Sequence, residues 1–149
     1  MMDKYGADGV QIASRFVLSK ECSVSEKLKE AYLKAGEEDI GLVTSPVGMP
    51  GRAVKTPFVE KMLSGDDIKA DTCRFKCLKK CNYKYCISDR LNASCTGDVD
   101  NGLVFSGANT YKMKEILSVR EIFDRFVKAA ESVYKENVPG IAAAKPVAS

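Results

Sequence analysis

The pattern of hydrophobic and polar positions predicts short strands and amphipathic helices spread along the chain. Two apolar runs are typical of strands. Val10–Ile12 lies between a glycine-containing turn and the small residues Ala13 and Ser14, which favours a short buried strand. Ile40–Thr44 is rich in Ile, Val and Thr, the residue types enriched in strands, and predicts a second one.

Two helices are predicted in the first half of the chain. Ser23 and Glu26 have the spacing of a capping box, and the apolar residues that follow share one helical face as far as Ala35. Thr56–Pro57 then provides an N-cap followed by proline at the first helical position. We expect this second helix to end at Ser64–Gly65, because glycine favours the position after a helix.

Two more helices are predicted in the second half. Residues 85–93 favour a short helix, and Ser118 with Glu121 forms another capping box. The last helix has an apolar stripe made of Ile122, Phe126, Ala129, Ala130 and Val133. The tail beyond it, residues 137–149, has no periodicity and is rich in Ala, Gly and Pro, which predicts disorder.

A loop containing two prolines and two glycines is predicted at Ser45–Gly51, directly before Arg52. The planar fork of donors in an arginine side chain suits an anionic group. An ordinary surface ion pair is the equally weighted alternative for Arg52.

Composition and charge narrow the class of protein. The chain has 149 residues, no histidine and a net charge of +3 from 23 basic and 20 acidic residues. This balance is too even to favour nucleic-acid binding. No apolar run approaches the roughly 18 residues of a membrane span, and the N-terminus lacks the apolar stretch of a signal peptide. We therefore expect a cytoplasmic protein that binds neither nucleic acid nor a membrane.

Four cysteines are candidate metal ligands. Cys73, Cys77 and Cys81 recur every four residues, which would align them along one helical stripe, and Cys86 follows. Neighbouring lysines would lower the pKa of these thiols, which favours a zinc or iron–sulfur site. The spacing matches neither the usual zinc pairs nor the common iron–sulfur run. Buried or surface thiols, and disulfide or redox use, are therefore alternatives.

Three segments together resemble a known family. Residues 6–16 read GADGVQIASRF, residues 45–55 read SPVGMPGRAVK, and residues 97–102 read GDVDNG and continue into Ser106–Gly107. In this order the segments resemble the C-terminal part of the nitronate monooxygenases, formerly called 2-nitropropane dioxygenases. Flavin-dependent enoyl-acyl-carrier-protein reductases are close relatives of that family. The resemblance covers roughly residues 5–135.

The resemblance implies an α/β fold that is the C-terminal fragment of a (β/α)8 TIM barrel, mostly helical in this chain with few short strands. Residues 1–136 would form the last barrel strand, a helical extension carrying the cysteines and the final helix, followed by the disordered tail 137–149. A complete barrel needs about 250 residues, so a chain of 149 cannot close one. A fragment is favoured over a stand-alone domain that reuses the segment.

The resemblance also implies FMN-dependent oxidation of alkyl nitronates with dioxygen to a carbonyl compound and nitrite. Backbone N–H groups of Ala13 and Ser14 would supply half of the FMN phosphate site, and Gln11 and Ile12 would line it. In the family, the segment matching Ser106–Asn109 lies near the flavin. The catalytic histidine would lie upstream, so we assign no catalytic residue here. We expect the chain to be inactive alone and to need the missing N-terminal barrel portion.

Two alternative functions stay open. The first is an FMN-dependent enoyl-acyl-carrier-protein reductase fragment, whose distinguishing residues lie mostly upstream of this chain. The second is a non-enzymatic metal- or redox-binding module that uses the candidate ligands Cys73, Cys77, Cys81 and Cys86.

Overall fold

The computed structural model describes residues 9–137 except 67, 69–72, 74, 78, 80, 82 and 83. Within this part, two consecutive short strands lie between two groups of helices along the chain. The elements in order are α1 (Ser14–Val17), α2 (Glu26–Lys34), β1 (Ile40–Thr44), β2 (Pro50–Val54), α3 (Pro57–Ser64), α4 (Ile87–Thr96), a 3-10 turn (Thr110–Lys112) and α5 (Val119–Asn137).

The two strands form an antiparallel hairpin in which Ile40 pairs with Val54 and Thr44 pairs with Pro50. The predicted strand at β1 is confirmed. The predicted loop ends earlier than expected, because Pro50 already pairs and Arg52 lies in the middle of β2. Its turn contains Gly48 at φ +87°, a left-handed conformation that glycine adopts at little cost.

An extended segment, residues 103–106, runs along the other edge of β2. Val54 N–H donates to the Val104 carbonyl at 2.9 Å, and Ser106 N–H donates to the Arg52 carbonyl at 2.9 Å. Successive side chains of an extended chain point to opposite faces. Leu103 and Val104 therefore enter two different apolar clusters.

The first cluster is built around α2 and the second around the hairpin and α3. The first consists of Leu18, Leu28, Tyr32, Ala35, Val54 and Val104. The second consists of Val43, Ala53, Phe58, Val59, Tyr85 and Leu103. The extended segment thus holds the two clusters together.

Helix α2 starts later than its sequence pattern predicts. The N-cap is Ser25, whose hydroxyl accepts a hydrogen bond from Leu28 N at 3.3 Å. The prediction of Ser23 as the cap is wrong because a distant contact fixes Ser25: its N–H donates to the Cys95 carbonyl at 2.9 Å. The helix ends at Lys34, one residue before the predicted end.

Helix α3 confirms its predicted start and end. The Thr56 hydroxyl accepts from Val59 N at 3.3 Å and donates to the Gly102 carbonyl at 2.9 Å. Pro57 occupies the first turn, and Gly65 ends the helix at φ +86°. The cap of α3 therefore also ties the helix to the residue before the extended segment.

Helix α5 confirms its capping box but buries little of its apolar stripe. Glu121 N–H donates to the Ser118 hydroxyl at 3.2 Å, and Ser118 N–H donates to the Glu121 carboxylate at 2.7 Å. Ile122 is buried, whereas Phe126 and Val133 are exposed. The stripe is exposed because, among the described residues, its neighbour is the short α1, whose Phe16 ring lies 5.6 Å from that of Phe123.

The predicted buried strand at Val10–Ile12 is wrong. This stretch has no regular secondary structure, and the side chain of Val10 is 56% exposed. A strand needs a hydrogen-bonded neighbour to satisfy its backbone groups. No strand lies beside this stretch in the described part of the chain.

The predicted helix at residues 85–93 forms as α4, shifted to Ile87–Thr96. The predicted tail falls outside the described residues from position 138 onward, so its disorder stays a prediction. Among the described residues, no helix is both long and apolar enough to cross a bilayer.

We expect the variant Thr56→Ala to lower the free energy of unfolding by about 1–3 kcal/mol. The change removes the cap of α3 and leaves the buried Gly102 carbonyl without its donor. Urea denaturation of the two proteins measures the difference. Ser64→Ala is the matched control, because the Ser64 hydroxyl is exposed and donates only within its own helix. Equal losses in the two variants would contradict the structural role of Thr56.

We expect the Glu121 carboxyl to titrate with a pKa of about 2, because the N–H and hydroxyl of Ser118 both donate to the carboxylate. A depressed pKa stabilises the fold above the ordinary carboxyl value of 4.5, and this stabilisation is lost as the pH falls toward 2. Side-chain carbon NMR through an acid titration measures this pKa. Ser118→Ala should raise it, and an ordinary value in the unmodified chain would contradict the capping geometry.

Candidate functional site

An open cleft of about 570 Å³ lies between the start of α1, the helices α2 and α4, and the extended segment. Three of the four predicted cofactor-binding residues line it, namely Gln11, Ala13 and Ser14. Ile12 is not among the lining residues and is partly exposed. The floor is apolar, and the described residues that line the cleft include no carboxylate.

Ser14 joins the two predicted parts of the site. Its hydroxyl oxygen accepts a hydrogen bond from Gly107 N–H at 3.0 Å, although the two residues are 93 positions apart. Ser106 and Gly107 both line the cleft. The structure therefore brings the turn at Ala13–Ser14 and the start of the small-residue segment 106–109 to one place.

Residues 105–107, which include the Gly107 partner of Ser14, are held by hydrogen bonds at both ends. The Tyr32 hydroxyl donates to the Phe105 carbonyl, and the buried Thr110 hydroxyl donates to the Gly107 carbonyl at 2.8 Å. Burial raises the pKa of Tyr32 to about 12, so its hydroxyl stays a donor at neutral pH. These two hydroxyls hold residues 105–107 in position.

Two buried polar atoms lack a hydrogen-bond partner among the described residues, namely Ser106 Oγ, on a residue that lines the cleft, and Arg15 Nη2, on a residue that does not. The other terminal nitrogen of Arg15, Nη1, donates to the Glu115 carbonyl at 3.1 Å. Desolvation lowers the pKa of Arg15, and the nearby Glu115 carboxylate partly opposes this shift. Glu115 itself is paired with Arg125.

The ring of Phe105 lies directly against the backbone of Gly51. A Cβ atom at position 51 would stand 2.5 Å from the ring. A residue with a side chain at this position would displace Phe105, whose carbonyl is the acceptor for Tyr32. Arg52, the other candidate of this region, lies exposed in β2 and is not among the residues lining the cleft.

The cysteine stripe predicted on one helix is wrong. Cys73, Cys77 and Cys81 lie outside helices, and Cys86 is the N-cap of α4. Lys76, between the first two, has φ +44°, a left-handed conformation that a right-handed helix cannot contain. Among the described residues, no group of three or more potential ligands could hold a metal ion. The structure therefore gives no support to the predicted zinc or iron–sulfur site.

Sequence reasoning missed Tyr32 and Thr110. Tyr32 falls on the apolar face of α2, so its spacing indicates only core packing. Its bond to Phe105 spans 73 positions, and no local pattern signals such a contact.

The sequence model of the nitronate monooxygenase family matches residues 2–129 of this chain. The chain belongs to this family of oxidoreductases, which confirms the resemblance found in the three segments.

Curated proteins are similar in sequence to part of this chain. A (3aS,4S,5R,7aS)-5-hydroxy-7a-methyl-1-oxo-octahydro-1H-indene-4-carboxyl-CoA dehydrogenase from Mycobacterium tuberculosis is 30% identical over 112 residues, which cover 71% of this chain and 32% of that protein. A probable nitronate monooxygenase from Staphylococcus saprophyticus is 34% identical over 62 residues, covering 42% of this chain and 18% of that protein. The chain spans about a third of the length of the first relative.

Among solved structures, FabK from Thermotoga maritima superimposes with a TM-score of 0.68 and 25% identity, covering 88% of this chain and 39% of that one. A mutant of the same protein gives a TM-score of 0.64 at 24% identity. The chain therefore corresponds to part of a TIM-barrel fold, as its sequence predicts.

We expect Gly51→Ala to lower the free energy of unfolding by about 1–3 kcal/mol, because the new methyl group would overlap the Phe105 ring. Urea denaturation measures the loss. Gly41→Ala in the partner strand is the matched control, since a Cβ there meets its nearest atom, on Lys55, at 3.7 Å, an ordinary contact. The close packing of Phe105 would be refuted if the two alanine variants were equally stable.

Proposed function

We propose that this chain forms one side of the FMN site in an oxidoreductase that oxidises alkyl nitronates with dioxygen to a carbonyl compound and nitrite. Membership of the nitronate monooxygenase family supports the reaction class. The observation that carries the proposal is the contact between Ser14 and Gly107, because it joins two separate segments that line the cleft, one of which also contributes Gln11 and Ala13.

The lining of the cleft fits the phosphate group of FMN. The Ser14 oxygen accepts from Gly107 N–H, so its own hydrogen is available to donate to a ligand. Ala13 is small enough for the backbone to approach a ligand closely, and Gln11 offers amide donors. The lack of carboxylates among the described lining residues avoids repulsion of an anion.

The roles of this chain are binding and orientation. When bound, FMN would supply the redox chemistry, and the protein would position it. Gln11, Ala13 and Ser14 would hold the phosphate end, with Ile12 beside them. The chain has no histidine, and we assign it no catalytic base. The base would belong to the part of the fold that the relatives have in addition.

Completion of the site requires more of the barrel than this chain contains. Val10, Phe123 and Val127 are each more than half exposed, and exposed apolar side chains of this size indicate a surface that another part of a protein covers. We infer that the remaining strands and helices of the barrel pack here. The chain alone would then be inactive and bind FMN weakly.

A second candidate is chemistry on an acyl thioester, which includes the enoyl reductase alternative. The carboxyl-CoA dehydrogenase relative matches 71% of this chain, compared with 42% for the probable nitronate monooxygenase. The likeness to FabK supports the same flavoenzyme group. The two candidates share the FMN site and differ in substrate.

We expect a full-length barrel to bind FMN and to release nitrite from propane-2-nitronate. The barrel joins the first two thirds of the Staphylococcus saprophyticus relative to this chain.

Ser14→Pro should weaken FMN binding at least about tenfold, because the rigid ring removes both the hydroxyl and the N–H of position 14. Flavin fluorescence quenching measures the affinity, and a colorimetric nitrite assay measures the reaction.

Ser132→Ala serves as the control, because that hydroxyl is exposed on α5 and donates only to the Ala129 carbonyl. Unchanged FMN affinity in Ser14→Pro would refute the phosphate site. Bound FMN with turnover of an enoyl or acyl thioester, and no nitrite, would favour the second candidate.

A further inference from the structure

The hydroxyl of Ser106 is a buried polar group without a hydrogen-bond partner among the described residues. It belongs to the cleft that Gln11, Ala13 and Ser14 line. Buried hydroxyls are nearly always paired, so an unpaired one beside a cleft calls for an explanation.

The position of Ser106 is fixed by its neighbours. Its N–H is bonded to the Arg52 carbonyl at 2.9 Å, the preceding carbonyl accepts from Tyr32, and the following residue is bonded to both Ser14 and Thr110. The backbone of Ser106 is therefore held in place on both sides.

Ser106 and Ser14 both line the cleft, and each carries a hydroxyl group. The Ser14 oxygen is occupied as an acceptor by Gly107 N–H, so this residue offers a hydrogen. The Ser106 hydroxyl is unpaired and offers a hydrogen as well. Two donors, with no carboxylate among the described lining residues, suit an oxyanion rather than a cation.

We propose that Ser106 is a ligand-binding residue whose hydroxyl donates a hydrogen bond to a phosphate oxygen of FMN, next to the hydroxyl of Ser14. This inference rests on the proposed FMN site and adds a residue that lies 92 positions after Ser14 in the chain. Specifically, the Ser106 hydroxyl is unpaired in the free chain because the ligand is its partner.

The test is an NMR titration of the isotope-labelled full-length barrel proposed above, which contains this chain, with FMN and separately with inorganic phosphate up to millimolar concentration. Both should shift the amide signals of Ser14, Ser106 and Gly107 in a saturable manner. Ser106→Ala should weaken FMN at least about tenfold, the loss of one hydrogen bond to a charged group. Ser106→Thr keeps the hydroxyl and should bind within about threefold of the unmodified chain.

A stability measurement separates binding from a structural role. Ser106→Ala removes an unpaired hydroxyl, so its melting temperature should be equal to or higher than that of the unmodified chain. Ser94→Ala is the matched control in the same cleft. That hydroxyl donates to the Leu103 carbonyl at 3.0 Å, so its loss should lower the melting temperature.

Saturable shifts with unchanged FMN affinity in Ser106→Ala would overturn the role of Ser106 and leave the FMN site standing. Shifts at Ser106 with FMN but none with inorganic phosphate would overturn the phosphate contact. No saturable shift with FMN at these residues would overturn both the inference and the proposed site. A lower melting temperature in Ser106→Ala would show a structural hydroxyl.

Discussion

The pairing of the extended segment with β2 is the contact on which the other parts of this fold depend. The two hydrogen bonds from Val54 to Val104 and from Ser106 to Arg52 fix which side chains face each way. A shift by one residue would move Leu103 and Val104 into the wrong clusters and turn Ser106 away from the cleft. Core packing and the geometry of the site are therefore set by the same few backbone bonds.

Local signals in the sequence were sufficient where a structural element is fixed by its own residues. Thr56 with Pro57 and Ser118 with Glu121 cap their helices as predicted. The start of α2 could not be predicted, because its cap residue is chosen by the Cys95 carbonyl, 70 positions away. A short apolar run such as Val10–Ile12 indicates a strand only if a second strand lies beside it, which the pattern cannot specify.

The sequence indicated several residues of the candidate site but not the long-range contacts that hold them. The family resemblance indicated Gln11–Ser14 and Ser106–Asn109. Of these residues, the structure places Gln11, Ala13, Ser14, Ser106 and Gly107 in the lining of one cleft, whereas Ile12, Ala108 and Asn109 are not among its lining residues. The resemblance could not indicate that Tyr32 holds the Phe105 carbonyl, since a tyrosine on an apolar helix face looks like any core residue. Spacing misled in the cysteine region, because a period of four does not reveal a left-handed residue such as Lys76.

The contacts between the two ends of the chain have a consequence for folding. Ser14 bonds to Gly107 across 93 positions, and Glu21 accepts from Val119 N–H across 98. Such contacts close long loops, so forming them costs more loop-closure entropy than forming the hairpin or a helix. We therefore expect them to form after these local elements. The cleft would then be complete only after these long-range contacts have formed. Any ligand that binds there selects the fully folded chain over partly folded ones, so occupancy and folding are thermodynamically linked.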